Sequence, residues 1–170
     1  AGWHSVGEVA LDSATLTVRH IPQQNLVFWM SGDSERATER TSNVVFRDDV
    51  ALDSQMDTEV TSWLNVGELL PDVGRGVYEL TLEGNGSTDH ARLMLTDLQL
   101  IAKRGLRPDG GESVWAWVLD AHNGAPIQDV DVSMVLPSGR ALASCDTPLD
   151  GGCRLDIPED ALDEATPIAL

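Results

Sequence analysis

An all-β fold, arranged as two tandem antiparallel β-sandwich domains, is predicted by three observations. Apolar and polar residues alternate over short runs, as in Leu16 and Val18 between Thr15, Thr17 and Arg19. Turn-forming clusters rich in Gly, Pro, Asn and Asp separate those runs. Finally, 170 residues are too many for one sandwich of roughly 100 residues and suit two small domains.

The first domain, residues 1–96, opens with strands at 6–10 and 14–20. Pro22 interrupts the pattern, and Asn25-Leu26-Val27-Phe28-Trp29-Met30 restarts it as a further strand. Residues 31–42 are polar and charged, with Glu35, Arg36, Glu39 and Arg40, and read as an exposed connection that leaves room for a helical turn. Strands follow at 44–52 and 59–63, then a short helical turn over 66–70 that Pro71 stops. Residues 76–82 alternate cleanly up to Gly84-Asn85-Gly86, a strong hairpin signal, and residues 91–96 complete the domain.

The second domain, residues 97–170, begins with a strand at 98–103. The stretch 104–111, with Pro108-Asp109-Gly110-Gly111, makes a turn rather than a linker, because the next strand, 113–119, pairs back. Turns at Asn123-Gly124 and Pro137-Ser138-Gly139 bound strands at 130–136 and 140–145, and a hairpin leads to 153–157. Residues 161–170 read as the beginning of a later strand, which leaves this domain short of its natural end. No Gly/Ser-rich spacer separates the domains, so a tight junction is expected.

Composition narrows the partners. Eleven Lys and Arg stand against 28 Asp and Glu, a net charge of −17 and a pI near 4.3. That field repels nucleic acid and anionic lipid headgroups. No apolar run approaches the roughly 20 residues of a membrane helix. The chain starts Ala1-Gly2-Trp3-His4, without an initiator Met or a signal-peptide pattern, and reads as a mature or excised segment of something longer.

The two cysteines, Cys145 and Cys153, flank a turn bearing Pro148 and Gly151-Gly152. Alternation along 141–145 and 153–157 puts both thiols on one face across that turn, where a disulfide would imply an oxidising compartment such as the periplasm. The other readings are a reduced buried pair or a two-thiol metal site, for which the nearby sequence lacks further ligands.

A family resemblance rests on an ordered set of motifs. Thr96-Asp97-Leu98-Gln99-Leu100, Ala102-Lys103, Gly124-Ala125-Pro126, then Thr147 with Asp150-Gly151 resemble a macroglobulin domain of the bacterial α2-macroglobulins. The first block is similar to the preceding macroglobulin domain through Leu16-Thr17-Val18-Arg19-His20-Ile21-Pro22, Asn25-Leu26 and Gly76-Val77-Tyr78. Gln99 stands where the family usually has glycine, and Pro148 where an Asp is common. The resemblance implies immunoglobulin-like sandwiches serving as structural and interaction modules of a protease-trapping protein of the cell envelope. It implies no enzyme activity, no cofactor and no metal. The implied partners are neighbouring domains of the parent and, through the full-length parent, target proteases. Family chemistry resides in a Gly-Cys-x-Glu-Gln-like thioester and a protease-sensitive bait segment. Gly152-Cys153-Arg154 begins like the thioester motif, but Leu155 and Asp156 replace its Glu and Gln, so no acyl donor is placed.

Other constellations point elsewhere. His4, His20, His90 and His122 accompany no nucleophile motif, so a hydrolase is the weakest reading. Asp48, Asp49 and Asp53, and Asp146, Asp150 and Asp156, lack the regular oxygen-ligand loop of a strong calcium site. Trp115 and Trp117 share one face of a strand, read as core or inter-domain packing ahead of a ligand-stacking platform. An adhesin or carbohydrate-binding sandwich is the alternative function.

Overall fold

A computed structural model describes residues 2–5, 12–31, 35–55, 60–69, 74–158 and 168–169. The strand expected over 6–10 lies outside them. The described chain is predominantly antiparallel β and divides into two compact units, one of residues 1–22 with 42–95 and one of 23–41 with 96–170.

In the first unit, β2 (Ser13–Ile21) lies between β3 (Asn43–Ala51) and β5 (Gly76–Gly84), and β6 (Ser87–Leu95) extends the sheet beyond β5. A separate ribbon pairs β1 (Gly2–Ser5) with β4 (Val60–Trp63). The expected alternation is realised on β2, whose Leu16 and Val18 sit opposite Leu82 and Leu80 in one buried cluster with Ala14, Val50 and Tyr78. The short helix α3 (Val66–Leu69) packs Val66 and Leu69 against that cluster. Asn85 and Gly86 both have positive φ, 53° and 76°, which makes the β5–β6 turn the mirror-image type that matches strand twist.

The second unit holds two three-stranded sheets. One is ordered β11-β8-β7, from β7 (Leu98–Leu106), β8 (Glu112–Asp120) and β11 (Gly152–Ile157). The other is ordered β10-β9-β12, from β9 (Asp131–Val135), β10 (Ala141–Asp146) and β12 (Ile168–Ala169). Ala116, Val118, Val132, Met134, Cys153, Leu155 and Ile157 form its core. Every inward residue of β11 is buried and every outward one is not, as a one-sided strand requires.

Three expectations change. Residues 25–30 are not a strand: a 3₁₀ turn, Gln23–Asn25, leads into α1 (Leu26–Ser31), while α2 (Glu35–Thr41) supplies the helical turn for which the connection left room. A short continuous apolar run does not distinguish strand from buried helix. Here Val27 and Trp29 are buried, Asn25 Nδ2 donates to Thr41 O at 2.9 Å, and Phe28 lies where a Cβ on Gly139 would meet it at 3.0 Å. The Asn25 bond ties the start of this segment to its end, and the Phe28 contact sets α1 against the turn at Gly139 of the second unit. Next, the turns at Asn123-Gly124 and 148–151 do not join paired neighbours: β9 lies in the sheet opposite β8, and β11 returns to pair with β8 rather than β10. True hairpins in this unit are β7–β8 and β9–β10. Finally, β7 runs three residues beyond 98–103, and the turn is confined to 107–111. Asp109 organises that turn by accepting the Gly111 N–H and the Arg107 Nε–H.

Candidate functional site

The motif residues of the second unit converge where the chain twice changes sheets. On leaving β8, Asp120 Oδ1 accepts the N–H groups of His122 and Asn123 at 2.8 and 3.1 Å, and Asn123 Oδ1 accepts that of Ala125 at 2.8 Å. Those backbone donors, His122 before Asn123, hold the Asp120 carboxyl below its ordinary range. Gly124 supplies φ 71°, and Pro126 bridges back to Leu119.

Thr147 locks this crossing to the end of β10. Its Oγ1 donates to Ile127 O at 2.8 Å and accepts from Val130 N–H at 3.0 Å. Its backbone N–H donates to Val130 O, and its own carbonyl accepts from Asp129. With 2% of its surface exposed, it is a hydrogen-bonding strut rather than a surface residue. Gly151 closes the second crossing: its N–H donates to Pro148 O, and its carbonyl accepts from Val118. At φ 71°, a Cβ there would stand 2.7 Å from Val118 O and 2.9 Å from Pro126 Cβ. Thus Gly124, Pro126, Thr147 and Gly151, far apart in the chain, share one structural task.

A disulfide joins Cys145 to Cys153, with Cα atoms 6.1 Å apart. It is not a bond across a hairpin. Cys145 is on β10 and Cys153 on β11, so it staples one sheet to the other through the core. Because the Cys153 sulfur is committed to this bond, it cannot carry an acyl group.

Trp115 and Trp117 face away from the core, a correction to the packing expected of them in the core. Trp115 is 43% exposed, and the two rings lie 6.1 Å apart at 19°. Arg154 stands 5.9 Å from the Trp115 ring centre. The alternation that buries Ala116 and Val118 turns the intervening indoles outward; a two-residue spacing establishes a shared face but not which face.

The remaining candidates stay dispersed. His20 packs on Tyr78 at 5.2 Å, His90 Nδ1 lies 3.2 Å from Thr81 Oγ1, and His122 Nδ1 lies 3.7 Å from Asp120. Strand β1 carries His4, whose side chain is outside the described set. Asp49 accepts from Thr15, Asp150 from Gly152 N–H, and Asp156 pairs with Arg107 and Arg154. Among the described residues, no group of three or more such side chains is placed to hold a metal ion, and no helix is long and apolar enough to cross a membrane.

No protein-family model matches the chain, and no curated protein sequence does. Solved structures do match. A crystal structure of native alpha-2-macroglobulin from Escherichia coli spanning domains NIE-MG1 aligns with TM-score 0.73 and 17% identity, over 94% of this chain and 79% of that one. A second, spanning domains MG0-NIE-MG1, aligns with TM-score 0.69 and 17% identity over 94% of this chain and 54% of that one. A Salmonella alpha-2-macroglobulin structure gives 0.66 and 16% identity, again over 94% of this chain but only 9% of that one. The chain therefore has the fold of these segments and spans about a tenth of the longest of them.

Proposed function

We propose that this chain is a structural and interaction module of a bacterial alpha-2-macroglobulin-like protein that traps proteases in the periplasm or cell envelope. The main support is the fold shared with the NIE-MG1 segment over 94% of the chain. In this reading the second unit is a macroglobulin domain, and the first takes the place of the other domain named in that segment. The motifs at 96–103, 124–126, 147 and 150–151 agree with it, and the inter-sheet disulfide fits an oxidising compartment. The chemistry of the site agrees as well: crossings locked by Thr147, Gly151 and a disulfide hold shape rather than turn over a substrate.

The test compares the isolated chain with its parent. Residues 1–170 should leave trypsin or elastase turnover of a large protein substrate unchanged, since they carry neither bait nor thioester. The longer natural polypeptide should inhibit once cleaved. Stoichiometric inhibition by the isolated chain, or a parent without effect on protease, would overturn the proposal.

A further inference from the structure

We propose that Asn85 is a site of covalent self-modification, at which water replaces the side-chain amide through a cyclic imide and lengthens the backbone of the β5–β6 turn. This goes beyond the module reading and does not rest on it.

The dipeptide Asn-Gly occurs twice, at 85–86 and 123–124, each time at a turn. With no side chain on the second residue, the approach of its nitrogen to the preceding carboxamide is unhindered. The two copies differ in whether that nitrogen and that carboxamide are held. At 85–86 neither is. Gly84 pairs with Ser87 as the last rung of the hairpin, so the N–H groups of the two residues between them lie outside the ladder. Both residues are exposed, and a Cβ on Gly86 would meet nothing within 4 Å. Among the described residues, no hydrogen bond engages the Asn85 carboxamide or the Gly86 N–H.

At 123–124 both groups are held. The Gly124 N–H donates to Asp120 O at 2.8 Å, and Asn123 Oδ1 accepts the Ala125 N–H at 2.8 Å. The N–H of Asn123 itself is tied to Asp120 Oδ1 at 3.1 Å, so the whole dipeptide is fixed to the end of β8. Attack by the Gly124 nitrogen on the Asn123 carboxamide requires these bonds to open first, which raises the barrier. The same two residues are thus reactive in one turn and protected in the other.

In the reaction the Gly86 nitrogen gives its proton to solvent base and bonds to Asn85 Cγ. The Cγ–Nδ2 bond breaks, and Nδ2 leaves as ammonia with a proton returned from water. A second step consumes one water, which opens the imide at either of its carbonyls. Opening at Cγ restores the ordinary backbone with an aspartate side chain, whereas opening at the main-chain carbonyl routes the backbone through Cβ and Cγ as isoaspartate. Nothing is oxidised or reduced. Either product adds one negative charge to the −17 of the chain. Only isoaspartate inserts a methylene into the main chain, and a two-residue mirror-image turn matched to strand twist has no slack for it. The Gly84↔Ser87 rung then opens, and the pairing of β5 with β6 loosens from that end.

The test incubates the whole folded chain in warm, mildly alkaline buffer and maps its peptides by mass spectrometry. Conversion at position 85 should outrun that at 123 by about tenfold or more. An isoaspartyl carboxyl methyltransferase supplied with labelled S-adenosylmethionine should mark the product at 85, and Asn85→Gln should remove that label. In urea strong enough to unfold the chain the two sites should react at similar rates, since their dipeptides are the same. The aged chain should melt below the fresh one, whereas Asn85→Asp, which adds the charge without the methylene, should melt with it. Equal rates at the two sites in the folded chain, faster conversion at 123, or no conversion at 85 while the urea-unfolded chain reacts would overturn the proposal. So would isoaspartate at 85 that leaves melting unchanged.

Discussion

Replacing Thr147 with valine isolates one hydroxyl at the sheet crossing. Valine matches the side chain in shape, so the buried methyl contacts persist, while both Oγ1 hydrogen bonds vanish and Ile127 O and Val130 N–H lose a partner. Leaving a buried polar group unmatched costs about 1–3 kcal/mol. Ile127 and Val130 are only half-buried, so the lower part of that range applies, giving a total of about 2–3 kcal/mol. For a unit of fewer than a hundred residues this corresponds to a melting temperature lower by roughly 10–20 °C. Differential scanning calorimetry under oxidising conditions measures it, with Thr147→Ser as the control. Serine keeps Oγ1 and loses a methyl, worth about 1 kcal/mol. A valine variant melting within a degree or two of the parent, or a serine variant less stable than the valine one, would refute the role given to the hydroxyl.

Removing the disulfide with Cys145→Ala and Cys153→Ala should destabilise by about 2–3 kcal/mol on the chain-entropy estimate for so short a loop, read as a lower urea midpoint; the oxidised chain should be two hydrogens lighter than the reduced form by mass spectrometry, with no alkylatable thiol. Gly151→Ala should cost about 2–4 kcal/mol, because left-handed strain adds to the close approach of Val118 O and Pro126, whereas Gly124→Ala, at φ 71° in open space, should cost only about 1 kcal/mol. Equal effects of the two glycine changes in urea unfolding would show that the crowding around Gly151 does not matter. The carboxyls of Asp120 and Asp109 titrate below their usual value in the folded chain, the latter chiefly through the Gly111 N–H. Their contribution is thus present above the unfolded-state value near 3.8 and is lost as pH falls through the lower folded one. Asp120→Asn should flatten the acid limb of stability against pH below about pH 4, and an unchanged limb would count against the N–H contacts.

Much of this fold is written locally. Alternation on β2, β5, β8 and β11, the mirror-image turn at Asn85-Gly86 and the proline after Ile21 each act within a few residues, through backbone sterics and the two-residue period of a strand. So did the proximity of Cys145 and Cys153, which a turn between two alternating strands brings together. Sheet membership was different: alternation is the same whether β11 pairs with β10 or crosses to β8, and only closure of a core between two sheets decides it. That decision turned the disulfide from a hairpin link into an inter-sheet staple and gave Thr147 its buried strut. It also sent Trp115 outward, since a shared face has no inside until an opposite sheet exists. The run from Leu26 to Met30 became helical because its burial came from contacts within the second unit, beyond the reach of local pattern. Composition by itself fixed the acidic field, whereas the pairing of Arg107 with Asp156 within it emerged only from which strands lie side by side.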